Sequence, residues 1–382
     1  MDLLKPRPAN SPPLTPLSFL DRSATVYGDC ISIKFNNKTY TWSQTYRRCL
    51  RLASSLVSLG MKHGDIVSVV APNIPAMYEL NFAVPMCGAI LSNINTRLDA
   101  HTISVILQHS ESKVVFVDYE YASLVLEAIS MYPLDGKVKP PRVVFIKDED
   151  AEEVEHSHQS ATLDYENMIK MGDSEFKWIR PKTEWDPMVL NYTSGTTSSP
   201  KGVVHCHRGL FILTVNSLID WSVPKQPVYL WTLPMFHANG WGFMWGMAAV
   251  GGTNICIRKF DASTIYSLIR KHGVTHMCGA PVVLNMLANG ANEEPLPHPP
   301  SFVDCVQFMI DEERQTYAIY WVSQTFEVGH LLTDSQRMGN IDLFGPSALK
   351  AGITLVEVAS AEVHCLSQDF TLPYLEIGPD PG

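Results

Sequence analysis

The segment from Tyr192 to Val204 combines residue types that hold phosphate groups. It reads Tyr-Thr-Ser-Gly-Thr-Thr-Ser-Ser-Pro-Lys-Gly-Val-Val and directly follows a hydrophobic run. A loop that wraps a polyphosphate needs closely spaced backbone N–H donors, hydroxyl donors and one cation, with glycine where a side chain would block approach. The segment therefore predicts a phosphate-binding loop. Its predicted binding residues are Thr193, Ser194, Gly195, Thr196, Thr197, Ser198 and Lys201.

Two better-known phosphate motifs do not describe this segment. A Walker A loop requires Gly-x-x-x-x-Gly-Lys-Ser/Thr, whereas here Pro200 precedes Lys201 and Gly202 follows it. A Gly-x-Gly-x-x-Gly fingerprint is also missing, since the glycines of residues 240–246 have the wrong spacing. The alternative reading is a Ser/Thr-rich surface loop without a ligand.

A second motif, Leu-Pro-Met-Phe-His-Ala-Asn-Gly-Trp, spans residues 233–241. Taken alone, His237 is an ordinary core histidine more often than a functional one. Together, however, the two segments resemble the AMP-forming adenylate-forming superfamily, which includes acyl-CoA synthetases, firefly-type luciferases and peptide-synthetase adenylation domains. That family's loop is written Thr-Ser-Gly-Thr-Thr-Gly-x-Pro-Lys-Gly, and this chain has Ser198 where glycine is usual.

Further segments resemble the plant acyl-activating enzymes of short-chain, medium-chain or aromatic acids. The resemblance covers residues 1 to about 298. It is carried by Ala71–Leu80, Ile94–Leu98, Val203–Gly209 and Gly279–Leu284. The last of these resembles the family segment that lines the acyl tunnel, and it also fits a plain core helix.

The resemblance implies a site and a reaction. His237 is expected to gate or orient the substrate carboxylate, and the acyl pocket is expected to include Phe236, Asn239, Gly240 and Trp241. The implied partners are a carboxylic acid, ATP and CoA, with Mg²⁺. The family first joins the carboxylate to AMP with release of pyrophosphate, and a thiol then displaces AMP.

Residues 290–382 lack several segments that the resemblance implies. These are a Gly-Ala-Pro-type adenine loop, a Tyr-Gly-x-Thr-Glu stretch whose glutamate binds Mg²⁺, a Thr-Gly-Asp for the ribose, and a mobile C-terminal domain. We therefore expect a catalytically incomplete acid–CoA ligase and name no metal ligand. The alternatives are a non-catalytic nucleotide- or acyl-binding remnant that regulates a full-length relative, and adenylation without CoA.

The surrounding sequence predicts an α/β fold that positions these motifs. Between residues 40 and 290, β-branched runs alternate with amphipathic stretches, as in βαβ units with mixed, largely parallel sheets. The resemblance implies the N-terminal domain of adenylate-forming enzymes without the mobile C-terminal domain. We expect a partial AMP-binding domain over 1–300, with subdomains of about 1–186 and 187–300, and an atypical tail over 301–382.

Local patterns give individual elements. A capping box at Thr41–Gln44 predicts a helix up to Gly60. Further helices are predicted over 100–109, 121–131, 207–221 and 240–250, and from the cap Asp261 to Gly273. Strands are predicted over 113–118, 142–146, 188–192, 228–233, 254–257 and 274–278. Beyond residue 300 we find no regular alternation. The acidic run 147–158 is expected to be a solvated loop rather than a metal site.

Composition narrows the class of protein. The 382 residues are 46% hydrophobic and 18% charged, with 29 Lys plus Arg against 39 Asp plus Glu and a net charge of −10. With no dense basic run, a nucleic-acid binder is excluded. The eight cysteines form no Cys-x-x-Cys pair and no transmembrane segment is expected, since 241–257 reads as buried core. A cytoplasmic or peroxisomal location is expected, with no peroxisomal signal at Asp380–Gly382.

Overall fold

A computed structural model describes residues 7, 11–133, 138–147, 163–193 and 200–288, together with short strands between 302 and 322 and at 376–377. The chain forms two compact units that alternate along the sequence. The first comprises Met1–Lys225, Pro234–Gly251 and Tyr374–Gly382, and the second comprises Gln226–Leu233 and Gly252–Pro373. Both motif segments therefore fall in the first unit, apart from Leu233.

The described residues contain α-helices, one short 3-10 helix and β-strands. Helices α1–α11 are, in chain order, Leu17–Val26, Trp42–Ser58, Pro75–Met86, Ala100–His109, Ala122–Ser130, Tyr165–Met171, His207–Asp220, Ala238–Trp241, Phe243–Val250, Ala262–His272 and Pro281–Ala288. The 3-10 helix is Tyr119–Tyr121. Strands β1–β17 are Ile31–Phe35, Lys38–Thr41, Ile66–Val70, Ile90–Asn93, Val114–Asp118, Arg142–Ile146, Leu163–Asp164, Pro187–Thr193, Lys201–Cys206, Val228–Leu230, Thr253–Ile255, His276–Gly279, Phe302–Val306, Met309–Asp311, Thr316–Ala318, Trp321–Val322 and Glu376–Ile377.

The sheet of the first unit has the strand order β17-β9-β8-β4-β3-β5-β6-β7. The pairs from β8 through β4, β3, β5 and β6 to β7 are parallel, whereas β8–β9 and β9–β17 are antiparallel. Residues of β5 are buried along their whole length and those of β3 nearly so. Continuous apolar strands of this kind belong to parallel sheets that are covered on both faces.

Helix α3 crosses the interior of the first unit. All of its residues, from Pro75 to Met86, are buried, and Pro75 occupies the first helical turn, where a missing N–H costs nothing. Helix α2 packs nearby and begins with the predicted capping box. There Thr41 Oγ1 accepts from the Gln44 N–H at 3.3 Å, and Gln44 Oε1 accepts from the Thr41 N–H at 2.8 Å.

The second unit contains a smaller sheet in the order β16-β13-β12-β10-β11. Its β10, β11, β12 and β13 pair in parallel, and β16 is antiparallel to β13. The apolar core of this unit packs helix α10 against the strands. It consists of Leu230, Ile255, Ile257, Ile265, Ile269, Val274, Met277 and Val283.

The architecture confirms the predicted α/β class with mixed, largely parallel sheets. Helix α4 has the predicted bounds, and the capping box is confirmed. Two expectations are corrected. Strand β13 continues the second unit's sheet beyond residue 300, where no alternation was evident, and the helix predicted over 240–250 is regular only from Phe243. The subdomain boundary near residue 187 stays a prediction, and most of the acidic run lies outside the described residues.

Candidate functional site

Strands β8 and β9 form the hairpin that brackets the predicted phosphate loop. Thr193, the last residue of β8, lies opposite Lys201, the first residue of β9. The Thr193 side chain is exposed and that of Lys201 is half-buried. The predicted residues Ser194, Gly195, Thr196, Thr197 and Ser198 lie outside the described residues. The two described members of the predicted set are thus brought together at the base of the loop.

Tyr192 anchors the end of β8. Its hydroxyl is 2.7 Å from Nδ1 of His109 at the end of α4, and burial raises the pKa of Tyr192 to about 12. Opposite it, a Cβ on Gly202 would lie 3.0 Å from Leu190 Cδ1 and 3.4 Å from Tyr192 Cζ. Glycine at the Lys-Gly position of the motif therefore lets these two side chains lie over β9 without a clash.

The second motif forms a compact turn around His237. The His237 N–H donates to Pro234 O at 3.1 Å, and the Gly240 N–H donates to His237 O at 2.9 Å. Four consecutive residues then have a positive φ: Asn239 at 48°, Gly240 at 55°, Trp241 at 58° and Gly242 at 76°. A bulky residue such as tryptophan is rarely left-handed, so this backbone is strained and must be held by its surroundings.

His237 itself lies at the start of α8 with its side chain open to solvent on one side. Desolvation by the packing around the imidazole, and then the positive charge of Arg97, lower the pKa of His237 below its ordinary value. The ring is therefore neutral near pH 7. Arg97 belongs to the Ile94–Leu98 segment, whose role the sequence alone did not indicate.

The other predicted pocket residues surround the same turn. Asn239, Gly240 and Trp241 are buried, whereas Phe236 is half-buried. They are adjacent in sequence to His237, so the turn brings together the whole predicted carboxylate and pocket set. Their roles toward an acid substrate stay predictions.

Asparagine side chains connect this turn to its neighbours, and sequence reasoning identified Asn239 but missed its partners. Asn191 Nδ2 on β8 donates to Asn239 Oδ1 at 2.7 Å, and Asn239 Nδ2 donates to Asn81 Oδ1 on α3 at 3.0 Å. Asn93 Nδ2 on β4 also donates to Asn81 Oδ1, at 3.1 Å. The sequence feature that could have indicated these residues is an asparagine within an otherwise apolar strand or helix, because a buried polar group needs a hydrogen-bond partner.

Helix α3 and the segment before it hold the turn from the other side. Asn73 Oδ1 accepts from the Met235 N–H at 2.7 Å, and the Tyr78 hydroxyl donates to Met244 O at 2.9 Å. Trp245 Nε1 donates to Asn81 O at 3.4 Å. Hydrogen bonds of this kind each contribute about 0.5–1.5 kcal/mol net, so together they offset a strained turn of the kind seen at residues 239–242.

A cavity of about 330 Å³ opens beside the hairpin rather than beside the turn. It shares Leu190, Tyr192 and Gly202 with the hairpin and is otherwise lined by Gly64, Asp65, Ile66, His109, Ser110, Glu111 and Lys113. Acidic and basic side chains both line the cavity. None of the predicted acyl-pocket residues lines it. The cavity therefore adds nothing to the assignment of the acyl site.

The described part of the chain lacks a cluster of metal ligands and a membrane-spanning helix. No three His, Cys, Asp or Glu side chains there lie close enough together to hold a metal ion. No side chain among the described residues is therefore named as a Mg²⁺ ligand. Among the described helices, none is both long and apolar enough to cross a membrane.

Comparison with known proteins identifies the family. The family model described as AMP-binding enzyme matches residues 20–328, which extends past residue 298, the predicted limit of the resemblance. The chain belongs to the AMP-binding enzyme family. It is 65% identical over 302 residues to the 2-methylpropanoate–CoA ligase CCL4 of Humulus lupulus, covering 78% of this chain and 53% of that protein. It is 62% identical over 305 residues to the probable acyl-activating enzyme 5, peroxisomal, of Arabidopsis thaliana, covering 78% and 54%.

Solved structures show the same fold. The N-terminal domain of FACL13 from Mycobacterium tuberculosis, solved with an inhibitor, gives a TM-score of 0.66 at 26% identity over 76% of this chain and 69% of that one. The anthranilate CoA ligase AuaEII, solved with anthranoyl-AMP, gives 0.66 at 21% identity over 79% and 56%. The chain spans about half the length of the curated relatives it matches.

Proposed function

We propose that this chain contains the ATP-phosphate and acyl-carboxylate regions of an acid–CoA ligase. The observation that carries the proposal is the 2.7 Å hydrogen bond from Asn191 to Asn239. It joins the strand that leads into the phosphate loop to the turn that presents His237. Membership of the AMP-binding enzyme family and the names of two relatives, a CoA ligase and an acyl-activating enzyme, support the class of reaction.

The proposed chemistry has two steps. A carboxylate oxygen of the acid attacks the α-phosphorus of ATP, and the bond from that phosphorus to the bridging oxygen breaks, so that pyrophosphate leaves. The sulfur of CoA then attacks the acyl carbonyl, and AMP leaves with the electron pair of the broken C–O bond. Negative charge develops on the pyrophosphate in the first step, so fixed donors and cations there lower the barrier.

Thr193 and Lys201 are proposed to bind the leaving pyrophosphate. They face each other at the base of the hairpin, where one supplies a hydroxyl donor and the other a cation. The remaining proposed donors are Ser194, Gly195, Thr196, Thr197 and Ser198. An ammonium group beside a phosphate forms charge-assisted hydrogen bonds, which are stronger than neutral ones.

His237 is proposed to orient the acid. Its lowered pKa keeps the imidazole neutral near pH 7, so the ring offers one N–H donor to a carboxylate oxygen. A neutral donor orients the carboxylate without forming a tight ion pair that would reduce its nucleophilicity. The acyl group would then contact Phe236, Asn239, Gly240 and Trp241.

We further propose that the 382-residue polypeptide, assayed by itself, has little turnover. Residues 290–382 do not contain the adenine, glutamate and ribose segments that the family resemblance implies. Removing one preorganised electrostatic group commonly lowers the rate by about 10²–10³. Such a chain would bind the nucleotide without efficient catalysis. A protein with these properties could act as a regulatory partner of a full-length relative.

Calorimetric titration of the purified 382-residue chain with ATP and MgCl₂ tests binding. Lys201→Ala is expected to weaken ATP binding about 10- to 100-fold, because a charged hydrogen-bond partner of phosphate is lost. Lys177→Ala, at an exposed lysine outside both motifs, serves as the matched control and is expected to bind like the unmodified chain. A folded chain that does not bind ATP, or equal affinities of all three proteins, would contradict the proposal.

Pyrophosphate release and hydroxamate trapping test turnover. They are measured with short-chain, medium-chain and aromatic acids under conditions where ATP is bound. Binding without release is the expected result. Rapid release that depends on Lys201 would refute the proposal of low turnover and would leave the ligase assignment intact.

The location of the chain is a separate proposal. The name of the Arabidopsis thaliana relative assigns that protein to peroxisomes. We propose a cytosolic or peroxisomal location for this chain as well. Imaging of an N-terminally tagged chain beside a peroxisomal marker tests it, and a signal in any other compartment would contradict it.

A further inference from the structure

The turn that carries His237 and the strand that leads to the phosphate loop are joined by a short chain of carboxamides. Asn191 Nδ2 donates to Asn239 Oδ1 at 2.7 Å, and Asn239 Nδ2 donates to Asn81 Oδ1 at 3.0 Å. We call Asn191, Asn239 and Asn81 the amide relay. Asn239 and Asn81 have no exposed surface, and Asn191 is half-buried, so water does not compete with the relay at its centre.

The directions of the hydrogen bonds are consistent along the relay. Asn81 Oδ1 accepts from both Asn239 and Asn93, while Asn81 Nδ2 donates to Met77 O at 2.7 Å within α3. The carboxamide of Asn81 is therefore held at both its oxygen and its nitrogen. Rotating it by 180° would place an NH₂ group against two other NH₂ groups, so the arrangement has one favoured orientation.

The backbone at Asn239 explains why this residue type is needed there. Its φ of 48° and ψ of 48° are left-handed, a conformation that glycine, asparagine and aspartate tolerate best. Of these three, glycine has no side-chain hydrogen-bonding group, and ionised aspartate only accepts. Asparagine alone combines tolerance of this backbone with the acceptor used by Asn191 and the donor used by Asn81.

We propose that Asn239 is a positioning residue: through the amide relay it holds the turn that carries His237 in register with the strand that enters the phosphate loop. The inference rests on the proposed function for the roles of His237 and the loop. Besides its proposed contact with the acyl group, Asn239 acts on the reacting groups only through the turn that carries His237. It fixes the separation between the group that orients the carboxylate and the loop that holds pyrophosphate.

Three variants separate this role from general damage to the core. Asn239→Gly keeps the left-handed turn and removes both relay hydrogen bonds. Asn191→Ala removes only the link to β8. Asn93→Ala is the matched control, because it also removes a buried carboxamide that donates to Asn81, at 3.1 Å, but does not contact the turn. Circular dichroism and urea unfolding establish that each variant is folded.

The readout is the imidazole Cε1–Hε1 NMR signal of His237 in the ¹³C-histidine-labelled 382-residue chain, assigned by its loss in His237→Gln. Without ligand, Asn239→Gly is expected to shift or broaden this signal, and Asn93→Ala is expected to leave it unchanged. Addition of pyrophosphate with MgCl₂ is expected to shift the signal in the unmodified chain and in Asn93→Ala. That response is expected to be lost in Asn191→Ala and Asn239→Gly, with pyrophosphate affinity changed by less than about threefold.

Each other outcome has a defined meaning. Unchanged His237 signals and responses in Asn191→Ala and Asn239→Gly would overturn the inference. Equal effects of Asn93→Ala and Asn239→Gly would also overturn it, because loss of any buried carboxamide would then suffice. If the unmodified chain binds no pyrophosphate, the proposed function fails for this chain, and the ligand-free comparison of Asn239→Gly with Asn93→Ala still decides the inference.

Discussion

Replacement of Arg48 by methionine is expected to destabilise the first unit, because it leaves the carboxylate of Glu79 buried without its partner. Arg48 Nε lies 2.6 Å from Glu79 Oε1, and the Glu79 side chain has no exposed surface. The guanidinium also donates to Glu166 at 3.1 and 2.6 Å, and the Tyr165 hydroxyl donates to Glu79 Oε2. This cluster ties helices α2, α3 and α6 together.

The size of the effect follows from charge burial. Removal of one partner of a buried ion pair commonly costs about 3–5 kcal/mol, a large part of the 5–15 kcal/mol that holds a typical domain folded. Burial already raises the pKa of Glu79, and the Arg48 charge opposes that rise. Without Arg48, the pKa of folded Glu79 rises further above its unfolded value. Between those two values the folded state binds more protons, so the loss of stability grows as pH rises and shrinks as pH falls.

Urea unfolding followed by tryptophan fluorescence at several pH values measures this effect. Glu79→Gln in the Arg48→Met background removes the buried charge and retains an acceptor for Tyr165. The double variant is therefore expected to recover most of the lost stability and to lose the pH dependence that Glu79 contributes, since glutamine does not titrate. A loss below about 1 kcal/mol in Arg48→Met, or a double variant no more stable than the single one, would refute the reasoning.

Two further predictions concern stability. Gly251→Ala is expected to lower the free energy of unfolding by about 1–3 kcal/mol, because φ at this position is +68° and the new Cβ would clash with the Tyr27 ring. Gly273→Ala is the control, since φ there is +62° but nothing lies within 4 Å of the new Cβ. It is expected to lower the free energy of unfolding, measured with urea, by about 1 kcal/mol. Burial lowers the pKa of His207, which contacts Thr15 Oγ1 at 2.9 Å, to about 4. Stability is thus expected to fall by about 3 kcal/mol as pH drops from 6.5 to 4, and a His207→Gln chain that keeps the same slope would contradict this.

The sequence predicted those elements in which the apolar periodicity agrees with the residues that begin or end a helix. Helix α4 ended where expected, and Thr41 with Gln44 specified the start of α2 through local hydrogen bonds. Strand β13 was not predicted because it follows a proline-rich linker and is recognised only by its parallel pairing with β12. Pairing between distant segments is not encoded in a local pattern.

The candidate site was predicted in composition but not in geometry. The residue types of the first motif indicated Lys201 as a phosphate-binding residue, whereas His237 was indicated by the family resemblance of the second motif. The left-handed run that begins at Asn239 was predicted as a helix, since Trp241 to Val250 is apolar and glycine-rich. Asn191 and Asn81 stand out as polar residues within buried elements, but the sequence does not indicate their hydrogen-bond partners, because folding brings those partners together.

Helix α3 shows how stability and site geometry are separated within one buried element. Glu79 and Asn81 are two positions apart, and residues at this spacing project from different faces of a helix. Glu79 faces the ion-pair cluster with α2 and α6, whereas Asn81 faces the turn that carries His237. Each polar group is satisfied by its own neighbours, so the ion pair controls whether the first unit stays folded. The carboxamide controls where the turn lies once that unit is folded.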